Sequence, residues 1–286
     1  MIPIYNSPLL SFPASLRYNF NRSRVESLFV SLRLVKPASD FARRKIQVAD
    51  KRLKEWGLRG AVLLLLAVPV GVAVGLLDSF SGFVVGLVLG ATGLVLVLIG
   101  FTLWMEASST RKGWEGEQRV ASELSYLNDD FLLLNDVVLW GGRGNIDHIV
   151  VGPTGVFVIE TKNYSGKYVC YGDRWFFQGV RQKYDVASVS VQAKNNANAL
   201  STVLHRSGFT VEVNPIIVFT HPSVQLWLHH PTVPVLKSGT VCNFLLNQQP
   251  RFKVSGPYSQ KVAEKILLND RTPHQDSSIK TNHDLA

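Results

Sequence analysis

Three ionisable residues in the stretch "NIDHIVVGPTGVFVIETKNYSG", Asn145 to Gly166, stand where strand cores are ordinarily apolar: Asp147, Glu160 and Lys162. If Gly152-Pro153-Thr154-Gly155 closes a hairpin with Gly152 opposite Gly155, the register brings Asp147 opposite Glu160. Residues two apart in a strand share a face, so Glu160 and Lys162 point the same way, with Val156 and Val158 behind them. Cross-strand partners lie ~4.5–5.5 Å apart at Cβ, and two carboxylates that close repel unless a cation lies between them. A hard divalent metal is the simplest such cation. Pro153 suits an unprimed turn, and a bulge at Gly155 would shift the register by one residue, leaving the acids as diagonal neighbours. The competing reading is a solvated face on which the three charges pair as surface ions. Against it, Ile149, Val151, Val156 and Val158 share that face, and charges at the end of a buried strand are costly without a use.

The elements around this hairpin supply further candidates. Trp114 to Leu127 spaces Val120, Ala121, Leu124 and Leu127 as a helix, and Glu117 falls on that inward stripe, where a carboxylate needs a partner. "FLLLNDVVLW", "IDHIVV" and "VFVIETK" read as three strands, followed by a short pair, "KYVCY" and "RWFFQ", around Gly172-Asp173. Ala187 to His205 reads as helix, with Gln192 near its start and either a surface amide or within reach of the patch. "NPIIVFT" closes the series as a short buried strand. His148 alternates away from Asp147, which favours a structural role over ligation, and Trp175 and Phe176 either stack on bases or, the favoured reading, pack beneath the sheet. His229 and His230 lack nearby metal-ligand partners. "GGRGN" is too short for a phosphate loop, although its Arg143 suits contact with a nucleic-acid backbone.

Ahead of these elements lie two runs without a charged residue, Gly60 to Leu77 and Phe80 to Met105, broken only at Asp78-Ser79. Each is long enough to span a hydrocarbon core as a helix, and neither shows a recurring polar face, so they predict a transmembrane hairpin. Gly71/Gly75 and Gly82/Gly86/Gly90 recur at the spacing that lets helices pack backbone to backbone. Of the 30 Lys and Arg residues, twelve precede Gly60, against four of the 21 acids, so nearly all of the +9 charge flanks the first span. Arg111 and Lys112 follow the second. This bias predicts a multi-pass membrane protein of two helices with both termini cytoplasmic and its basic flank on anionic lipid. Two isolated cysteines suit a reducing compartment, no cleavable signal peptide is visible, and a channel is disfavoured by the lack of intramembrane polar residues beyond Asp78.

Together "GEQRVASEL", the Asn145–Gly166 stretch, Trp175, "VQAKNNANAL" and "NPIIVFT" resemble the nuclease-related domain, NERD, of the PD-(D/E)XK restriction-endonuclease-like superfamily, from about Gly113 to Leu246. The resemblance implies an α/β fold, a restriction-endonuclease-like mixed sheet flanked by helices, here preceded by the hairpin. The expected organisation is a basic N-terminal region over 1–57, the hairpin over 58–105, the nuclease-like domain over 110–268 and a flexible tail over 269–286. Carried over by position, Asp147 and Glu160 resemble the superfamily's metal-binding acids and Lys162 its lysine at the attacking water. Glu117 is similar to the acid of the first helix, completing one metal shell or helping to hold a second ion, and Gln192 to the polar residue of a later helix. The implied activity is Mg²⁺- or Mn²⁺-dependent hydrolysis of phosphodiester bonds in DNA or RNA. The alternative is a non-catalytic nucleic-acid-binding or sensing module on a membrane anchor. From Gly60 onward charge is nearly balanced, which predicts weak or tethered engagement of nucleic acid rather than tight duplex binding.

Overall fold

The computed structural model describes residues 33–37, 41–139, 144–249 and 256–272. Expectations for residues 1–32, for Arg143 and for the tail beyond 272 lie outside them. Two long helices come first among the large elements, α1 (Phe41–Gly75) and α2 (Ser79–Leu124), after a short strand β1 (Arg33–Lys36). Asp78 caps α2, accepting from the backbone N–H groups of Phe80 and Ser81, so the polar residue that interrupts the apolar runs also starts the second helix. Both helices are long and apolar enough to cross a membrane, and side chains such as Leu65 and Leu76 face outward and are largely exposed.

The glycines hold the pair together. A Cβ added at Gly82 would lie 2.3 Å from the Gly75 Cα and 2.5 Å from the Gly71 carbonyl oxygen, and one at Gly93 would lie 3.0 Å from the Leu64 backbone nitrogen. Below the apolar region Arg111 of α2 pairs with Asp50 of α1 at 2.8 Å.

The sequence suggests a separate helix over Trp114 to Leu127; in the structure it is the last part of α2, which runs unbroken for 46 residues. Nothing between Met105 and Trp114 stops a helix except Gly113, and one glycine costs only ~1 kcal/mol relative to alanine. At ~1.5 Å per residue α2 is about 70 Å long, more than twice the ~30 Å of a hydrocarbon core.

The remaining strands are β2 (Leu132–Val138), β3 (Asn145–Gly152), β4 (Gly155–Lys162), β5 (Gly166–Tyr171), β6 (Arg174–Gln178) and β7 (Lys183–Val186), then helix α3 (Val189–Arg206), β8 (Val213–Phe219), β9 (Val224–His229), β10 (Val235–Lys237), and helices α4 (Val241–Leu246) and α5 (Gly256–Leu268). The main sheet is mixed, in the order β1-β2-β3-β4-β8-β10. Its β2-β3-β4 meander is antiparallel, while β8 runs parallel to both β4 and β10. This is an α/β fold with helices on both faces. On one, Val156 and Val158 of β4 pack with Ala197, Leu200 and Leu204 of α3 and with α5. On the other, Phe157 and Ile159 pack against Val120 and Leu124 of α2. A second sheet, β7-β6-β5-β9, leans on α3 and β8 through Trp175, Cys170 and Phe219.

Gly82→Ala should lower the stability of the detergent-solubilised protein by ~1–3 kcal/mol through overpacking. Gly113→Ala, which meets nothing within 4 Å, should raise it by about 0.5–1 kcal/mol. Thermal unfolding followed by circular dichroism reads both; equal effects would show that the glycine seam does not hold the hairpin.

Candidate active site

The hairpin register is the one its turn implies. Gly152 pairs with Gly155 and the antiparallel ladder runs to His148 opposite Ile159. At the next position, where Asp147 would face Glu160, β3 leaves the ladder while β4 continues alongside β8 through Lys162 opposite Phe219. The Asp147 carboxylate takes over there, accepting the backbone N–H of Thr161 at 2.7 Å. The sheet thus opens at its edge with an acid on each side of the gap.

Glu160 is buried and both its oxygens are engaged. Lys162 Nζ donates to Oε1 at 2.6 Å and the Asn196 amide donates to Oε2 at 3.1 Å. Lys162 also donates to the Gln192 side-chain oxygen at 3.1 Å. Gln192 and Asn196 lie four apart, on one face of α3, whose start is fixed by Ser188 accepting the Val191 N–H. Asn196 is a site residue that the sequence reading passed over, although a buried amide on the apolar line of Ala193 and Leu200 was its signal.

Glu117 reaches the site from the opposite face of the sheet, since α2 packs on the Phe157 and Ile159 side. Gly116 makes the approach possible: a Cβ there would lie 2.9 Å from both the Asn163 Cβ and the Thr220 hydroxyl, and 3.4 Å from the Thr161 methyl. Burial raises the Glu117 pKa to about 7, with the charges of Asp136 and Glu160 adding to the effect and Lys162 opposing it. Asp136 is the second residue the sequence reading missed. It sits in β2 at φ 53°, interrupting the pairing between Asn135 and Val137, and accepts from the Asn145 amide at 2.7 Å.

Burial also lifts Asp147 well above the usual carboxylate range, with Glu160 and Glu117 pushing the same way and the Thr161 N–H opposing them. Glu160 is raised by burial, held back by Lys162 and Asn196. Burial would lower the Lys162 pKa, but Glu160, helped by Tyr164 and Asp147, makes the net shift upward, so Lys162 stays an ammonium ion. Three carboxyl groups therefore share one compensating cation. Among the described residues no three Asp, Glu, His or Cys side chains form a ready-made metal cage. The donors nonetheless fit Mg²⁺ or Mn²⁺, because they are hard oxygens short of positive charge, and Mg²⁺ is commonly held by one or two carboxylates with water and substrate oxygens completing its shell.

This arrangement lies inside a matched region: residues 112–220 match the profile of the nuclease-related domain, NERD. That profile covers a little over a third of the chain. Its match takes in the last turns of α2, the meander, α3 and β8, and so every acid and amide of the site. The chain is also similar to an uncharacterized protein of Bacillus anthracis, 46% identical over 59 residues, which is 19% of this chain and 28% of that protein. No solved structure matches.

Other candidates of the matched region take structural positions. His148 is buried against the Asn135 side-chain oxygen at 2.7 Å, and burial drives its pKa to about 3, so it is neutral. Trp175 is buried and donates to the Ser190 hydroxyl at 2.8 Å. Phe176, expected beneath the sheet, alternates to the outer face of the second sheet and is half-buried.

Glu117 carries a pH signature. The folded state keeps its proton to about pH 7 while an unfolded glutamate loses it near 4.5, so the folded state binds more protons between those values and stability falls as pH rises through them. Glu117→Gln should match wild type at pH 4 and be more stable at pH 8, by up to about 3 kcal/mol. Equal melting temperatures at both pH values would show that Glu117 is not strained by its surroundings.

Proposed function

We propose that this protein is a membrane-anchored, Mg²⁺- or Mn²⁺-dependent nuclease that hydrolyses phosphodiester bonds of DNA or RNA on the cytoplasmic side of the membrane. The observation that carries the reading is the Asp147, Glu160 and Lys162 arrangement at the opened sheet edge, within a nuclease-related domain. Asp147 and Glu160 are the residues that would hold the metal. When bound, a divalent cation polarises a phosphoryl oxygen and acidifies a water molecule.

The chain's own residues supply the rest. Lys162 remains charged and so serves as a cation facing the negative charge that develops as the water oxygen bonds to phosphorus and the P–O bond to the departing sugar oxygen breaks, not as a base. Gln192 accepts from the ammonium and Asn196 donates to Glu160, which fixes both groups before substrate arrives. We assign to Glu117, which titrates near neutrality, the proton that the attacking water gives up.

Membrane anchoring is supported by the two apolar helices with their outward-facing leucines and by exposed Lys51, Arg52 and Lys54 on α1 just before the first apolar run. The unbroken α2 would then carry Glu117 and the domain on the same side as that basic flank. A second reading, a binding module without turnover, is favoured by one observation: Lys162 already neutralises Glu160, so the pair is stable without a metal.

The purified full-length protein should cleave at least one of single- or double-stranded DNA or RNA with Mg²⁺ or Mn²⁺ and none with chelator. Lys162→Ala should leave substrate affinity nearly intact and lower turnover by ~10² or more, because its interaction strengthens in the transition state. A wild type that binds nucleic acid, cuts nothing with either metal and loses only affinity in Lys162→Ala would establish the binding module instead.

A further inference from the structure

The second sheet has two unlike faces. Its inner face is core, built on Cys170, Trp175 and Val224 against α3 and β8. The outer face carries the alternate residues of each strand, and a solvent-facing sheet surface is ordinarily polar there. Here three rings stand outward instead. Trp227 of β9 is 47% exposed and Tyr171 of β5 is 46% exposed, with Phe176 of β6 half-buried between neighbours.

Each ring has a cation over it. Lys167 Nζ lies 5.7 Å from the Trp227 ring centre, Arg174 lies 5.2 Å from that of Phe176, and Lys183 Nζ lies 5.4 Å from that of Tyr171. His229 already lies flat on Tyr171, with centroids 4.6 Å apart and planes within 10°. A flat heteroaromatic ring stacked on an exposed tyrosine is the contact a nucleobase would make. The charge is one-sided: Asp185 is the single acid in the four strands, and it sits 3.6 Å from Arg174.

We propose that this outer face is a stacking platform for single-stranded nucleic acid that feeds the strand to the carboxylate site. The identity of its ligand rests on the nuclease reading above. Rings stack on bases whose faces are free, which a duplex denies, and flanking cations follow the phosphates without reading sequence. The platform adjoins the site. Only Asn163 to Ser165 separate β4 from β5, so Lys167 lies within about 18 Å of Lys162 along the chain. Between them the exposed Tyr164 ring stands 5.9 Å from Lys162 Nζ. Local clustering of three cations also reconciles a nearly neutral domain with nucleic-acid binding, since the affinity comes from stacking as much as from charge.

Binding is measured on the full-length protein in non-ionic detergent, with chelator present, by anisotropy of labelled oligothymidylate, oligouridylate and a DNA duplex. Trp227→Ala should weaken single-strand binding by about five- to 150-fold with its salt dependence unchanged, while Trp227→Phe retains most of the affinity. Lys167→Ala and Lys183→Ala should each make the salt slope shallower by ~0.7, and duplex binding should change little in all variants. Trp227 is half exposed, so its truncation leaves the core intact; should that variant misfold, Tyr171→Leu and the two lysine variants carry the same test.

Unchanged single-strand binding in the folded variants overturns the proposal. So does loss of anionic-vesicle binding or of self-association in Trp227→Ala with oligonucleotide affinity intact, which would make the face a membrane-contacting or dimer surface. Cleavage by wild type with no effect of Trp227 removes the platform and leaves the nuclease reading standing. Ring-dependent binding without cleavage under Mg²⁺ or Mn²⁺ does the reverse.

Discussion

The bond from the Thr161 N–H to the Asp147 carboxylate, at 2.7 Å, is the constraint on which the site depends. It replaces a rung of the β3–β4 ladder with a side chain, letting β3 turn aside while β4 continues beside β8. A closed ladder would hold Asp147 and Glu160 side by side on one face of an unbroken sheet, ~4.5–5.5 Å apart at Cβ. The opened edge instead gathers acids from β3, β4 and α2 around one lysine. Their raised pKa values are the electrostatic record of that crowding: protonation makes up the positive charge that the protein does not supply.

The helices are fitted to this edge from both faces. α3 delivers Gln192 and Asn196 to Lys162 and Glu160 from one side, each by a direct hydrogen bond. α2 delivers Glu117 from the other, and the missing side chain of Gly116 sets how closely it comes. Because α2 is also the second apolar helix, the acid and one arm of the apolar hairpin belong to one continuous helix. Under the proposed membrane reading, that continuity ties the site directly to the anchor.

Much of this was legible before the structure, for reasons that differ by residue. The Gly152–Gly155 turn set the register locally, so the ladder down to His148 opposite Ile159 followed from counting, and it stops one position short of the expected pairing of Asp147 with Glu160. The apolar runs and their glycines announced a helical hairpin because lipid-like composition is a strong signal. Less visible were features decided by distant partners. β1 is four residues whose pairing with β2 depends on contacts such as Lys36 with Asp270. Asp136 read as an ordinary strand residue because its positive φ leaves no trace in composition. The continuity of α2 was missed because the apolar pattern stops at Met105 and a different one begins at Trp114, and a change of surroundings looks like a break in the helix. The second sheet escaped as a unit because its outer strands β7 and β9 are largely exposed and so carry no sustained apolar pattern.

The central claim is that the acids at the opened edge are tolerable neighbours because a divalent cation joins them. Thermal unfolding of wild type and Asp147→Asn, with and without Mn²⁺, tests it most directly. Without metal the variant should be no less stable than wild type, since the amide oxygen still accepts from Thr161 and the repulsion with Glu160 is gone. Added Mn²⁺ should raise the melting temperature of wild type alone. Equal stabilisation of both proteins by Mn²⁺, or none of either, would contradict the account.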